Sequence, residues 1–133
     1  MSFSTYLESA LLNHVFRNTP LTSPASIRIA LFTAAPTDAG GGTEVSGSGY
    51  ARQTVAFSAP IADPENAARR AVLNSGSIQF ETTHTPILSI VAVGYFDALT
   101  AGNLIDWTPI TAVDLGVGAA IRFPVNSLKV FLS

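Results

Sequence analysis

Cysteine is absent from this 133-residue chain. That one absence removes disulfides, thiolate metal sites and cysteine nucleophiles together, and it leaves the chain indifferent to redox compartment. Charge is also scarce, at 12 % of residues, about half the usual share. The seven basic residues are six arginines and Lys129, scattered and outnumbered by nine acids. This excludes the clustered basic footprint of a nucleic-acid binder, so no nucleic-acid partner is expected. No apolar run reaches the roughly 20 residues of a membrane-crossing helix. The longest, Ile87–Phe96, is half that, and no membrane partner is expected. The N-terminal stretch has no basic region before its apolar residues and contains Glu8, which argues against a secretory signal. Only two histidines occur, His14 and His84, and neither has the spacing of a zinc site. There is no G-x-S-x-G elbow for a nucleophilic serine. Catalytic residues, metal ligands and cofactors are therefore all expected to be none.

What is present reads as one mainly β domain over residues 1–133 with a helix in front of it. In "STYLESALLNHVFRN", Leu7, Ala10, Leu11 and then His14 or Val15 recur at helical spacing, and Thr5 and Glu8 have the spacing of a capping box. An amphipathic helix over 4–18 follows from this, ended by Asn18–Pro20. Beyond it the period changes to two. "SIRIALF", "YARQTVAF" and "SLKVFLS" alternate as half-buried strands, with Val55 and Phe57 inward in the second. "LSIVAVGYF" is apolar on both faces, the pattern of a central strand. "AVLNSGSIQF" is two short strands around Asn74–Gly76 or one strand with a bulge. "DALTAGN" is a turn, and "LIDWT" and "AAIRFPV" are further strands. Seven to eight short strands without intervening helices predict an antiparallel β-sandwich or barrel, jelly-roll-like. Ile61–Val72 admits two readings, a short helix capped by Asp63 with Pro64 at its first position, or an irregular loop.

"TDAGGGTEVSGSGYAR", Thr37–Arg52, holds five of the ten glycines. As a phosphate loop it fails, because it lacks the lysine and the helix that a P-loop requires. As a calcium loop it is poor, since Asp38 and Glu44 supply few of the six to eight oxygens needed. The remaining reading is a long connection over 36–49 without secondary structure of its own, an arm able to fold against a neighbouring molecule. Tyr50 and Arg52 then anchor its return to the sheet. Tyr95 and Trp107 are aromatics suited to stacking on a sugar, although an aromatic in a strand pattern is commonly core filling.

Together "STYLESALLNHVFRNTP", "IRIALFTAAPTDAGGGTEVSGSGYARQTVAFSAP", "NSGSIQF" and "VGYFDALTAGNLIDWTPI" resemble a set of small tailed-bacteriophage virion proteins, loosely described as tail-fibre proteins. The resemblance spans nearly the whole chain and implies a non-enzymatic structural role in the virion, assembled in the bacterial host cytoplasm. Within that implication the expected role is a capsid decoration (cement) subunit. A tail- or neck-associated fibre protein and a host-surface glycan-binding module are the alternatives. Low charge suits a subunit covered by partners, so a homo-oligomer, with a trimer favoured, and contacts to the major capsid protein are expected. The candidate contact residues are Leu7, Leu11 and Phe16 on the helix, Asp38, Glu44, Tyr50 and Arg52 around the loop, and Arg69 and Arg70. The charged stretch Asp63–Arg70 is longer than the resembled family's usual link at that place.

Overall fold

A computed structural model of the chain describes residues 2–132. In chain order the elements are β1 (Ser2–Phe3), α1 (Thr5–Phe16), β2 (Ile27–Ala34), β3 (Thr43–Glu44), β4 (Gln53–Val55) and β5 (Ile61–Asp63). They continue with β6 (Asn66–Leu73), β7 (Ile78–Gln79), β8 (Ile87–Phe96), β9 (Leu104–Leu115), β10 (Arg122–Phe123) and β11 (Lys129–Leu132). One antiparallel sheet has the order β1-β9-β8-β2, with β3 and β4 both pairing the far side of β2. β11-β6-β5 and β10-β7 form two smaller sheets. The architecture is sandwich-like and mainly β, and it is not a closed barrel.

Alternation along β2 and β8 sorts the interior into two sides. Ile29, Leu31, Val93 and Tyr95 face a large core shared with Val55 of β4 and with Ile78, Phe80 and Leu128, the last three supplied by the smaller sheets and the chain beside them. On the opposite face Ala30, Phe32 and Ala92 form a second cluster with Val91, Phe96 and Trp107. β8, paired by β2 and β9, is buried on both faces from Ala92 to Tyr95, as its uninterrupted apolar pattern predicts.

The second cluster depends on a residue with no side chain. A Cβ at Gly94 would lie 2.8 Å from Phe32 Cε2 and 3.2 Å from Leu104 Cδ1. The Phe32 ring is itself stacked on Phe96, with centroids 6.1 Å apart, so it has little room to yield. Gly94→Ala is therefore expected to cost about 1–3 kcal/mol by overpacking. Urea denaturation measures this, and a loss below about 0.5 kcal/mol would show that the ring simply moves aside.

Two local readings of the sequence are corrected. The helix is capped by Ser4 and not by Thr5: the Ser4 hydroxyl accepts from the Leu7 N–H at 3.1 Å. Ser4 is still extended because its N–H donates to the Ile105 carbonyl, and the Thr5 N–H is taken by the Asp38 carbonyl at 2.8 Å. The second correction concerns Ile61–Val72, which is neither helix nor irregular loop. It is a β-hairpin, turning at Pro64–Glu65, whose second strand pairs β11 from Leu73 to Arg70. Asp63 begins that turn, its carboxylate accepting from the Glu65 N–H at 2.9 Å.

Candidate functional site

The glycine-rich segment between β2 and β4 has structure of its own, which corrects the expectation of a bare connection. Thr37 and Gly40 exchange backbone hydrogen bonds at 2.9 and 2.8 Å in a tight turn. At Gly42 the positive φ, +75°, coincides with a close approach, because a Cβ there would lie 2.7 Å from the Ala34 carbonyl oxygen. The chain then returns as β3 against Phe32 and Ala34. Val45 donates its N–H to the Leu31 carbonyl at 2.9 Å and buries its side chain in the large core. Glycine here serves to turn the chain back onto its own sheet.

That return brings Glu44, Tyr50 and Arg52 together. The Arg52 guanidinium grips the Glu44 carboxylate with two parallel bonds, Nε to Oε2 and Nη2 to Oε1, each 2.8 Å. Its Nη1 donates to the carbonyls of Ala98 and Ala101 at 2.9 and 2.8 Å, in the β8–β9 connection. The cation also lies 3.8 Å from the centroid of the Phe96 ring. Tyr50 donates its hydroxyl proton to Glu44 Oε2 at 2.6 Å and accepts from the Leu31 N–H at 3.1 Å. The β2–β4 segment, the start of β4 and the β8–β9 connection thus meet in one clasp. It borders a shallow cavity of about 400 Å³ whose wall includes Val45, Leu99 and Thr100.

Electrostatics follow from that geometry. Burial works to raise the Glu44 carboxyl, but the Arg52 guanidinium and the Tyr50 hydroxyl outweigh it, and the group is held below its ordinary value. Burial and then the Glu44 carboxylate push the Tyr50 hydroxyl well above the ordinary phenol range. Both groups keep fixed protonation states at neutral pH, and both carboxylate oxygens are engaged. The arrangement locks three segments together; it does not present a poised acid or base.

Asp38 lies on another flank. Its carboxylate accepts from Trp107 Nε1 at 3.1 Å, while its backbone carbonyl holds the first N–H of α1. The two loop carboxylates therefore serve different partners, and no metal-holding group of three or more His, Cys, Asp or Glu side chains occurs among the described residues. Trp107 is partly buried in the second cluster. On α1, Leu7 and Leu11 are half-buried on the side turned to the protein, whereas Phe16 is 79 % exposed.

Arg69 and Arg70 point to different tasks from neighbouring positions of β6. Arg69 pairs with Asp63 and stacks 3.6 Å from the centroid of the Phe131 ring. Arg70 is exposed and borders an apolar hollow of about 210 Å³ walled by Phe3, Val72, Val130 and Leu132 among others. The Asp63 centre, absent from the sequence-based candidates, also takes Lys129 Nζ at 2.9 Å, and Lys129 reaches Glu65 at 2.6 Å. Burial acts to raise the Asp63 carboxyl, but the Glu65 N–H, Lys129 and Arg69 together hold it far below the ordinary range. Asp-Pro-Glu-Asn is a turn signal that would have located Asp63. Nothing local announces Lys129, 66 positions away.

Fold and site together define a small antiparallel β protein with one leading helix, in which the charged side chains of the candidate site hold loops in place. Residues 2–131 match a family model described as podophage GP4 fiber I protein gp80, and the chain belongs to this Gp80 family. Membership over nearly the whole chain places it among phage virion structural proteins. None of the curated proteins matches it.

Proposed function

We propose that this chain is a non-enzymatic, fibre-type subunit on the outside of the phage particle, acting through contacts with copies of itself and with other virion proteins. The observation that carries this reading is family membership over residues 2–131 under a fibre-protein description. The clasp supports it, because Arg52, Glu44 and Tyr50 spend their polar groups on one another and on backbone carbonyls. Large apolar side chains are meanwhile left on the surface, among them Leu12, Val15, Phe16 and Leu99.

Capsid decoration is the second reading, favoured by one observation. The described residues form a small antiparallel β domain with one helix, which suits a subunit that sits on a lattice. Copy number separates the two. Densitometry of purified particles against the major capsid protein is expected to give a small multiple of the tail's symmetry, and gold-labelled protein should lie at the tail. Stoichiometry proportional to the capsid lattice, with label over the head, would replace the fibre reading with decoration. Absence from purified particles would remove both.

A further inference from the structure

We infer that two adjoining hollows, which share residues 44–46 as a wall, form a binding site for a neutral oligosaccharide, with one sugar ring in each. The larger is the cavity of about 400 Å³ beside the clasp, within the roughly 300–1,000 Å³ of small-molecule sites. The smaller, of about 230 Å³, is bounded by Thr33, Thr43, Thr85 and Pro86 among others. Glu44, Val45 and Ser46 line both, so the two meet along the end of β3.

The chemistry of the walls selects the ligand. An ionised carboxylate accepts about four hydrogen bonds. Glu44 takes three, from the Tyr50 hydroxyl and from Arg52 Nε and Nη2, which leaves one place on Oε1 of a partly exposed side chain. The hydroxyls of Thr43, Ser46, Thr85 and Thr100 belong to exposed residues of the two walls and make no hydrogen bond among the described residues. A hydroxyl both donates and accepts, so the walls match a ligand that does the same. Net charge is absent, because Arg52 neutralises Glu44 and has four of its five N–H donors committed. An anion finds no uncommitted cation there, and a cation meets a carboxylate whose charge is already matched. A neutral polyol suits both conditions, and Leu99 and Pro86 add apolar wall for the C–H face of a sugar ring. The clasp fixes Glu44 before any ligand arrives, which reduces the ordering cost of binding. Tyr95 and Trp107, the aromatics that the sequence offers for sugars, line neither hollow: Tyr95 is buried and Trp107 packs in the second cluster. Without their stacking, affinity per copy is on the order of millimolar. It gains strength where many copies are held together.

The inference rests on the geometry of the hollows and not on the virion-subunit reading, and an NMR titration of the isotope-labelled native chain tests it separately. The probes are maltose, cellobiose, lactose and mannobiose, with glucuronate and glucosamine as charged controls. At millimolar concentrations at least one neutral disaccharide is expected to shift the amide resonances of Thr43, Glu44, Ser46 and Thr100, and to bind more tightly than its own monosaccharides. Ser46→Leu puts a bulkier side chain without hydrogen-bonding groups on the shared wall. It should weaken that binding by about tenfold at unchanged circular dichroism. Thr85→Val, which removes one exposed hydroxyl, should weaken it by about threefold. No shift from any of these disaccharides, shifts confined to other parts of the surface, or tighter binding of either charged control would overturn the site. Full binding by Ser46→Leu would do the same. Sugar binding by a protein missing from particles would defeat the proposed function alone. A particle-borne protein blind to every disaccharide would defeat the sugar site alone.

Discussion

Asn74→Ala is expected to lower the stability of this fold by about 3–5 kcal/mol, the largest effect of any single side chain outside the apolar core. Asn74 is fully buried. Its Nδ2 donates to the Gly76 and Pro124 carbonyls at 2.9 and 2.8 Å, and its Oδ1 accepts from the Leu128 N–H at 2.8 Å. Backbone bonds to Leu128 and from Asn126 add two more links to the same stretch. One amide therefore fastens the segment between β10 and β11 to the end of β6. Alanine leaves the Leu128 N–H without its partner in a buried place, along with a cavity and two weakened carbonyls. Thermal and urea unfolding should agree, with a fall in Tm of roughly 10–15 °C for a domain of this size.

Asn74→Asp sharpens the test because it keeps the shape and removes the donors. At neutral pH its second oxygen would face two carbonyl oxygens, so the charged form is disfavoured in the folded state and its folded pKa is raised. A carboxyl with a raised folded pKa has its full stability below the unfolded value, near 4, and loses it as pH rises through the folded pKa. The aspartate variant should thus approach the native chain in acid and fall away from it towards neutrality, whereas the alanine variant keeps its deficit in both. A uniform deficit for both variants would mean that the amide donors do not matter and only packing does.

Asn74 also shows where sequence reading stops. "NSGS" reads as turn chemistry, and a turn does begin there, but its partners at Pro124 and Leu128 are about fifty positions away. Elements with a long pattern were legible. β8 is apolar on both faces, β2 and β11 are strands where the period of two puts them, although β2 is buried on both faces from Ile29 to Phe32 and not half-buried, and Asp97–Asn103 is the turn its residues indicate, with Asp97 accepting from the Asn103 N–H at 2.7 Å. The seven to eight strands expected become eleven among the described residues. The excess comes from two- and three-residue strands such as β1, β3, β7 and β10, which are too short to show a period. β5–β6 departs from the sequence expectation for a different reason. Asp63-Pro64 imitates a helix start and Ala67-Ala68 favour a helix, but pairing with β11 and the Asp63–Lys129–Arg69 centre outweigh those local preferences. At the candidate site Tyr50 and Arg52 were placed correctly at the return to the sheet. Their common partner Glu44 carries no sequence signal of its own, because a carboxylate in a glycine-rich stretch is usually solvated.

Arg52→Ala is expected to cost about 2–4 kcal/mol, somewhat below the 3–5 typical of breaking a fully buried pair, because the Glu44 side chain keeps 28 % exposure and water can partly replace the cation. The loss combines the two-pronged ion pair, two carbonyl contacts and the stack on Phe96. Arg52→Lys should recover only a minor part, since an ammonium cannot span a carboxylate and two carbonyls while lying flat on a ring. The pH dependence has a definite sign. Glu44 is held below its ordinary value of 4.5, so its contribution is present above that pH and is lost as pH falls through the lower folded value. With the guanidinium gone, burial is opposed only by Tyr50 and that lowering diminishes. The stability gap between the native chain and Arg52→Ala should therefore be widest above about pH 5 and shrink in stronger acid. A Glu44→Gln, Arg52→Ala double-mutant cycle should return a coupling of about 1–3 kcal/mol. A coupling near zero, with a gap that ignores pH, would mean that Arg52 acts through Phe96 and the carbonyls and that the ion pair is incidental. Because β3 and Val45 hang on this clasp, the same variant should also raise protease cleavage between Thr37 and Gly49 at conditions where the rest of the fold resists. That would tie the charge pair to the shape of the loop itself.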